Sequence, residues 1–254
     1  MTFDISHLLE QWDYKPGQVV VRKFTGKDGS EKIQLRVDLG LLQMNATGRP
    51  DGKRPFGCTS LLEHYKGRLH QFVAAHGGSD DGFSLNAEDC AKFQLEALQY
   101  HHRYICFLEL GDFAAVLRDT ERNSEVFDFV SRHAESEELA WALQQFRPQL
   151  LMIQTRAAAS QALQSDDFND ALNQIDAGLE KIREFFRHYS RHDLLDQSAE
   201  IISLEKWRQD INAKRPLSKR EKLEQALEDA VQREDYEKAA RVRDELRSLK
   251  AGEV

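Results

Sequence analysis

One short pattern recurs three times in this 254-residue chain and limits its fold more than any other feature. In Leu108-Glu109-Leu110-Gly111-Asp112-Phe113-Ala114-Ala115-Val116-Leu117 a helical run ends and a tight turn follows. An aspartate then stands before an aromatic residue, with small and apolar residues one turn on. The pattern returns as Leu163-Gln164-Ser165-Asp166-Asp167-Phe168-Asn169-Asp170-Ala171-Leu172, and again around Asp235-Tyr236-Glu237-Lys238-Ala239-Ala240. The aspartate side chain accepts an orphan N–H of the next helix. The aromatic plugs the elbow, and the small residue lets the neighbouring helix close in. Elbows of this kind join antiparallel helices.

From Leu85 onward every periodic segment is helical. Ala87–Leu110 carries Phe93, Leu95, Ala97, Leu98, Tyr104, Ile105 and Leu108. Asp112 caps a helix through Phe113, Val116 and Leu117 towards Val130. A single helix is expected over Glu138–Leu163, kinked at Pro148. Asp167 caps another through Ile175, Leu179 and Ile182, and a further helix covers Ser198–Ile211.

Residues 1–83 read differently. Ile5, Leu8, Leu9 and Trp12 suit a short amphipathic helix. Gln18–Phe24 is β-branched, and Gly26–Ser30 is a turn. In Lys32–Leu39, Ile33, Leu35, Val37 and Leu39 alternate with Lys32, Gln34, Arg36 and Asp38. That period of two predicts a β-hairpin with one buried and one wet face. Leu41–Met44 extends the strand or forms a third. Residues 48–55 are a polar loop, Thr59 or Ser60 caps a helix through Val73, and His76–Gly82 is the clearest linker. The expected fold class is α+β, mostly α. It comprises a small α/β region at 1–83 with a basic β-hairpin, an antiparallel helical body at 84–214, and a helical hairpin at 215–254.

Charge is uneven: Lys15–Pro55 holds nine Lys/Arg against four Asp/Glu, while the whole chain carries −8. Arg22, Lys23, Arg36, Arg49, Lys53 and Arg54 are therefore candidate anion-binding residues, with nucleic acid as the anion to consider. The alternative is an internal match between the basic region and the acidic helical body. No aromatic ladder interleaves with these charges. No apolar run reaches the ~18 residues of a membrane span, and the N-terminus lacks the marks of a secretion signal. Three scattered cysteines, Cys58, Cys90 and Cys106, form no CxxC pair, so a cytoplasmic setting is expected. Phosphate-loop, dinucleotide-binding, nucleophile-elbow and zinc-protease motifs are absent. His188 and His192, four apart, read as a wet helix end rather than a metal site, and His101-His102 points to two helix faces. No enzyme activity, metal or cofactor is expected.

The last stretch is the most specific. Ser218-Lys219-Arg220-Glu221 is a capping box. Leu223, Leu227, Ala230 and Val231 make one helical stripe, and Gln232-Arg233-Glu234 turns. Ala239, Val242, Leu246 and Leu249 then make a seam of coiled-coil spacing. Two helices of about fifteen residues are marginal in water without packing. The hairpin is thus expected to dock on a helical surface: its own body, a second copy or another protein. Leu223, Leu227, Ala230, Asp235-Tyr236-Glu237-Lys238-Ala239-Ala240, Arg243-Asp244 and Leu246 closely resemble the UVR motif. That motif occurs in the excision-repair subunits UvrB and UvrC, in some Clp-type ATPases and in bacterial activators of protein-arginine kinases. The resemblance implies a hairpin that pairs with another helical hairpin. It puts Leu223, Leu227, Ala230, Val231, Tyr236, Ala239, Ala240, Val242, Arg243, Leu246 and Leu249 at a partner interface. The repair enzymes' helicase and nuclease residues and the activators' zinc modules have no counterpart here. The elbows of the helical body resemble those of tetratricopeptide repeats, although their 55-residue spacing is too long for a regular array. The expected function is a non-enzymatic adaptor, with a nucleic-acid-linked accessory factor of DNA repair or stress response as the alternative.

Overall fold

The computed structural model describes residues 4–217 and 219–252. Ser218, the expected cap, lies outside the described residues, and so does the side chain of Leu249.

After a short helix α1 (Ser6–Glu10), strands β1 (Val20–Thr25), β2 (Glu31–Val37) and β3 (Gly40–Asn45) form an antiparallel sheet in the order β1-β2-β3. Leu41–Met44 therefore belongs to a third strand. The register sets Val21 against Leu35 and Leu35 against Leu42, and Ile33 against Met44. Opposed residues share a face. Ile33 and Met44 are buried in the main core, and Val21 and Leu35 pack against it.

The other face departs from the simple alternation. Gln34 and Arg36 were expected to be wet and are both buried. The segment after α1 covers them. Arg22 lies 4.3 Å from the centre of the Trp12 ring and donates through Nε to Gln34 at 2.7 Å, which donates to Gln43 at 2.8 Å. Arg36 donates to the carbonyls of Trp12, Val37, Asp38 and Gly40. A buried guanidinium is tolerable only when its donors are met, and carbonyls at the strand ends meet them here. Leu39, assigned to the apolar face by period, instead tips the β2–β3 turn and is 89% exposed.

Eight of the helices follow the sheet: α2 (Leu61–Ala75), α3 (Ala87–Glu109), α4 (Phe113–His133), α5 (Glu137–Gln144), α6 (Arg147–Gln164), α7 (Phe168–His188), α8 (Ala199–Lys214) and α9 (Lys219–Gln232). α10 (Tyr236–Gly252) closes the described chain. Ser60, Asn86, Asp112, Ser136 and Asp167 each cap the helix that follows by accepting the backbone N–H three residues on. The single kinked helix expected over 138–163 is two helices. Pro148 does not kink an interior. It sits in the first turn of α6, where a missing N–H costs no helical bond. On α7, Gly178 faces Thr155 of α6 so closely that an added Cβ would stand 2.0 Å from Oγ1.

Residues 76–82 are followed by an anchor. Phe83 packs edge-on against Phe72 and His133. Leu85, fully buried, donates to His133 O at 2.7 Å and accepts from Glu135 N at 3.0 Å. The chain divides into two compact units, Met1–Arg208 and Gln209–Val254. The sheet region and the helical body up to Arg208 thus form one unit, because a polar network ties them together. Arg103 pairs bidentately with Asp119, at 2.7 and 2.8 Å, and both are 1% exposed. The same guanidinium donates to the carbonyls of Asn45 and Gly48 in the loop after β3. Arg49 of that loop reaches Glu96 at 3.3 Å. Glu96 is fully buried and also takes Arg122 and the N–H of Leu61. Part of the charge asymmetry seen in the sequence is therefore an internal match.

Candidate interaction hairpin

The three elbows are the same device in space. Gly111, Asp166 and Glu234 all take left-handed backbone, with φ of 72°, 55° and 59°. Each donates to the carbonyl three residues back, at 3.2, 3.1 and 3.0 Å. The following aspartates, Asp112, Asp167 and Asp235, donate to the carbonyls of Phe107, Ala162 and Ala230 five residues back, at 3.0, 3.0 and 2.8 Å. This pair of bonds is the Schellman ending of a helix. Each aspartate then accepts from the N–H three residues on, at 3.3, 2.9 and 3.1 Å. One turn thus ends a helix and starts the next, satisfying orphan groups on both sides.

The elbows differ in what covers the aromatic. Phe113 is half-buried and packs on the core, and Phe168 is half-buried. Tyr236, in the same position, is 70% exposed. In the second unit α9 and α10 pack on each other. Ala230, Ala239 and Val242 are buried, while Leu223, Leu227, Ala240 and Leu246 are only half-buried. Val231 is 54% exposed, because the buried stripe of α9 passes through Ala230 and leaves its neighbour outside. Arg243 is exposed and its nearest ion partner is Asp244 at 3.4 Å. Arg215 pairs with Glu221, and Arg220 with Glu224 at 2.8 Å. Two helices make one layer, and one layer leaves a side of its seam open. The leucines are half-buried, and Tyr236 and Val231 are open.

The candidate anion-binding residues meet different partners. Arg22 and Arg36 are held at the covered face of the sheet. Lys23 pairs with Glu31 at 3.1 Å, and Arg49 with Asp51 at 3.1 Å. Lys53 and Arg54 alone of the six stand exposed without a salt bridge among the described residues. His188 and His192 do not share a helix: α7 ends at His188, and Ser190 turns the chain with φ 54°. Among the described residues no group of three or more His, Cys, Asp or Glu is placed to hold a metal. No described helix is long and apolar enough to cross a membrane. Burial lowers the pKa of several histidines. His101, beside His102 and hydrogen-bonded to Tyr104 at 2.8 Å, is lowered to about 4.

Neither a curated protein nor a solved structure matches this chain. The family model of the UvrB/uvrC motif (UVR) does match, at residues 218–252. The motif is one of protein or DNA interaction in repair proteins. The chain carries this motif in the segment that folds as the α9–α10 hairpin.

Proposed function

We propose that this protein is a non-enzymatic adaptor that pairs through its UVR hairpin with another helical hairpin. The carrying observation is the uncovered elbow. Two copies of the turn half-bury their aromatic, and the third leaves Tyr236 in solvent, with Val231 of the same hairpin also exposed. An open tyrosine next to a half-open leucine seam has the composition of an interface centre, where aromatic residues are enriched. A second copy is the favoured partner. From Lys214 to the end the chain has eleven Lys/Arg against ten Asp/Glu, so two such hairpins meet without the repulsion that the acidic remainder would bring. The setting proposed is the cytoplasm.

Sedimentation velocity of the intact chain over a concentration series tests this reading. The sedimentation coefficient of the native protein should rise with concentration, and Tyr236→Asp with Val231→Asp should hold it at the monomer value. A native protein that stays monomeric into the ~100 μM range, where even weak transient pairs populate, contradicts self-pairing.

A further inference from the structure

The loop after β3 ends in a left-handed residue whose large side chain is mostly open. Phe56 has φ 52°, inside the left-handed region. For a bulky residue this is a true outlier, and such strain is unfavourable. A large apolar side chain normally offsets strain by burial, yet Phe56 is 65% exposed. Its one ring contact is with His64 at the start of α2, stacked at 4.1 Å with 17° between the planes. His64 in turn meets Tyr65 edge-on at 5.2 Å. Partial burial, helped by the neighbouring Arg68 and opposed by Asp89, lowers the pKa of His64 and so favours its uncharged ring.

The loop is also held firmly at its base. Asn45 donates its backbone N–H to Pro50 O at 2.8 Å, and the N–H of Gly52 donates to Arg49 O at 2.9 Å. Arg49 is tied to Asp51 and Glu96, and Arg103 grips the carbonyls of Asn45 and Gly48. Beyond this anchored base come Lys53 and Arg54, both exposed, then Pro55 and Phe56. Lys53 and Arg54, two exposed cations without a salt bridge among the described residues, thus stand three and two residues from a strained, open aromatic ring.

From this arrangement we infer that the 53–56 loop, with His64 beneath it, is a binding site for single-stranded nucleic acid. An unpaired base stacks on the outer face of Phe56, and the adjoining phosphates meet Lys53 and Arg54. The physical case is the match of groups. A base has a flat face for a ring that has one side filled and the other free, and the backbone supplies anions at the spacing of neighbouring nucleotides. A protein ligand has less use for two cations close in sequence to a ring already backed by a second ring. The site is independent of the hairpin, so the adaptor reading stands or falls separately.

The test is fluorescence anisotropy of a labelled single-stranded 20-mer DNA and its RNA counterpart with the full chain, in a salt series. Native protein should bind single strands saturably at low salt, and duplex of the same sequence more weakly, because paired bases cannot stack on the ring. Phe56→Leu keeps the apolar bulk and removes the ring. It should weaken binding about 5- to 100-fold, the range of one lost base stack, while Phe56→Trp keeps it. Lys53→Glu with Arg54→Glu should weaken binding and flatten the salt slope by about two contacts. Phe56→Gly removes the strain, so it should keep the melting temperature within a few degrees of native and still lose binding. No saturable binding by native protein at low salt overturns the inference. So does unchanged affinity in Phe56→Leu, or duplex bound as tightly as single strand. Retention of a purified protein through Phe56 with no oligonucleotide binding also overturns it.

Discussion

Replacing Arg103 by Met probes the joint that makes the sheet and the helical body one unit. Arg103 is 1% exposed and holds Asp119 with two bonds and the carbonyls of Asn45 and Gly48 with two more. Met fills much of the volume but leaves Asp119 buried with only the half-exposed Arg118 at 3.0 Å. Breaking a buried pair from one side costs about 3–5 kcal/mol, and two orphaned carbonyls add to this. Arg118 offsets part of the loss, so about 4 kcal/mol is expected. In a unit of this size that lowers the melting temperature by roughly 10 °C. Removing both partners together, Arg103→Met with Asp119→Leu, leaves no stranded charge and should cost at least about 2 kcal/mol less than the two single changes added. Urea unfolding followed by far-ultraviolet circular dichroism and by tryptophan fluorescence reads both effects. Trp12 reports on the sheet and Trp141 on the helices. A loss below about 1 kcal/mol, or strict additivity, refutes the joint. So would a transition at Trp12 separate from that at Trp141 in the native protein.

Three further outcomes follow from the same structure. Glu234 and Asp166 hold left-handed backbone that glycine adopts freely, so Glu234→Gly and Asp166→Gly should each stabilise by about 0.5–1 kcal/mol in urea unfolding. Destabilisation by either would contradict the shared elbow. His101 has a folded pKa of about 4 against an ordinary 6.5, so the unfolded chain binds more protons between those values and stability falls as pH drops through that window. The loss from this residue between pH 7 and 5 is about 2 kcal/mol. His101→Gln should remove that much of the slope, and an unchanged slope would refute the assignment. Gly178→Val should cost about 3 kcal/mol or more by driving a side chain into Thr155, and a melting temperature within 2 °C of native would show that α6 and α7 are not so tightly apposed.

The sequence makes the helices legible because caps and turns are local. Thr59 or Ser60, Asp112 and Asp167 announce their helices, and Asp235 with two alanines announces the hairpin. What it hides depends on distant partners. Period two assigns Gln34 and Arg36 to solvent, and only the return of Trp12 and Tyr14 over that face buries them. The deepest charged residues of the first unit, Glu96, Arg103 and Asp119, look like ordinary helix-surface charges. A local signal exists in that Arg103 lies on the apolar stripe of Phe93, Tyr100 and Phe107, but their partners come from residues 45–49, 61 and 122. Pro148 misleads for the same reason. The sequence marks a proline inside an apolar run, and tertiary packing sets whether the helix bends or restarts there. Phe56 gives no sign of strain in the sequence, since a Pro-Phe-Gly turn is unremarkable until its φ is known.

The hairpin's outward role is tested most directly by cross-linking across the seam in the intact chain. A cysteine at Tyr236, in a background with Cys58, Cys90 and Cys106 replaced by serine or alanine, should form a disulfide-linked dimer on mild oxidation. It should do so far faster than a cysteine at exposed Leu39 of the other unit. Equal rates at the two positions, or no dimer from the Tyr236 site, would contradict pairing through the UVR hairpin.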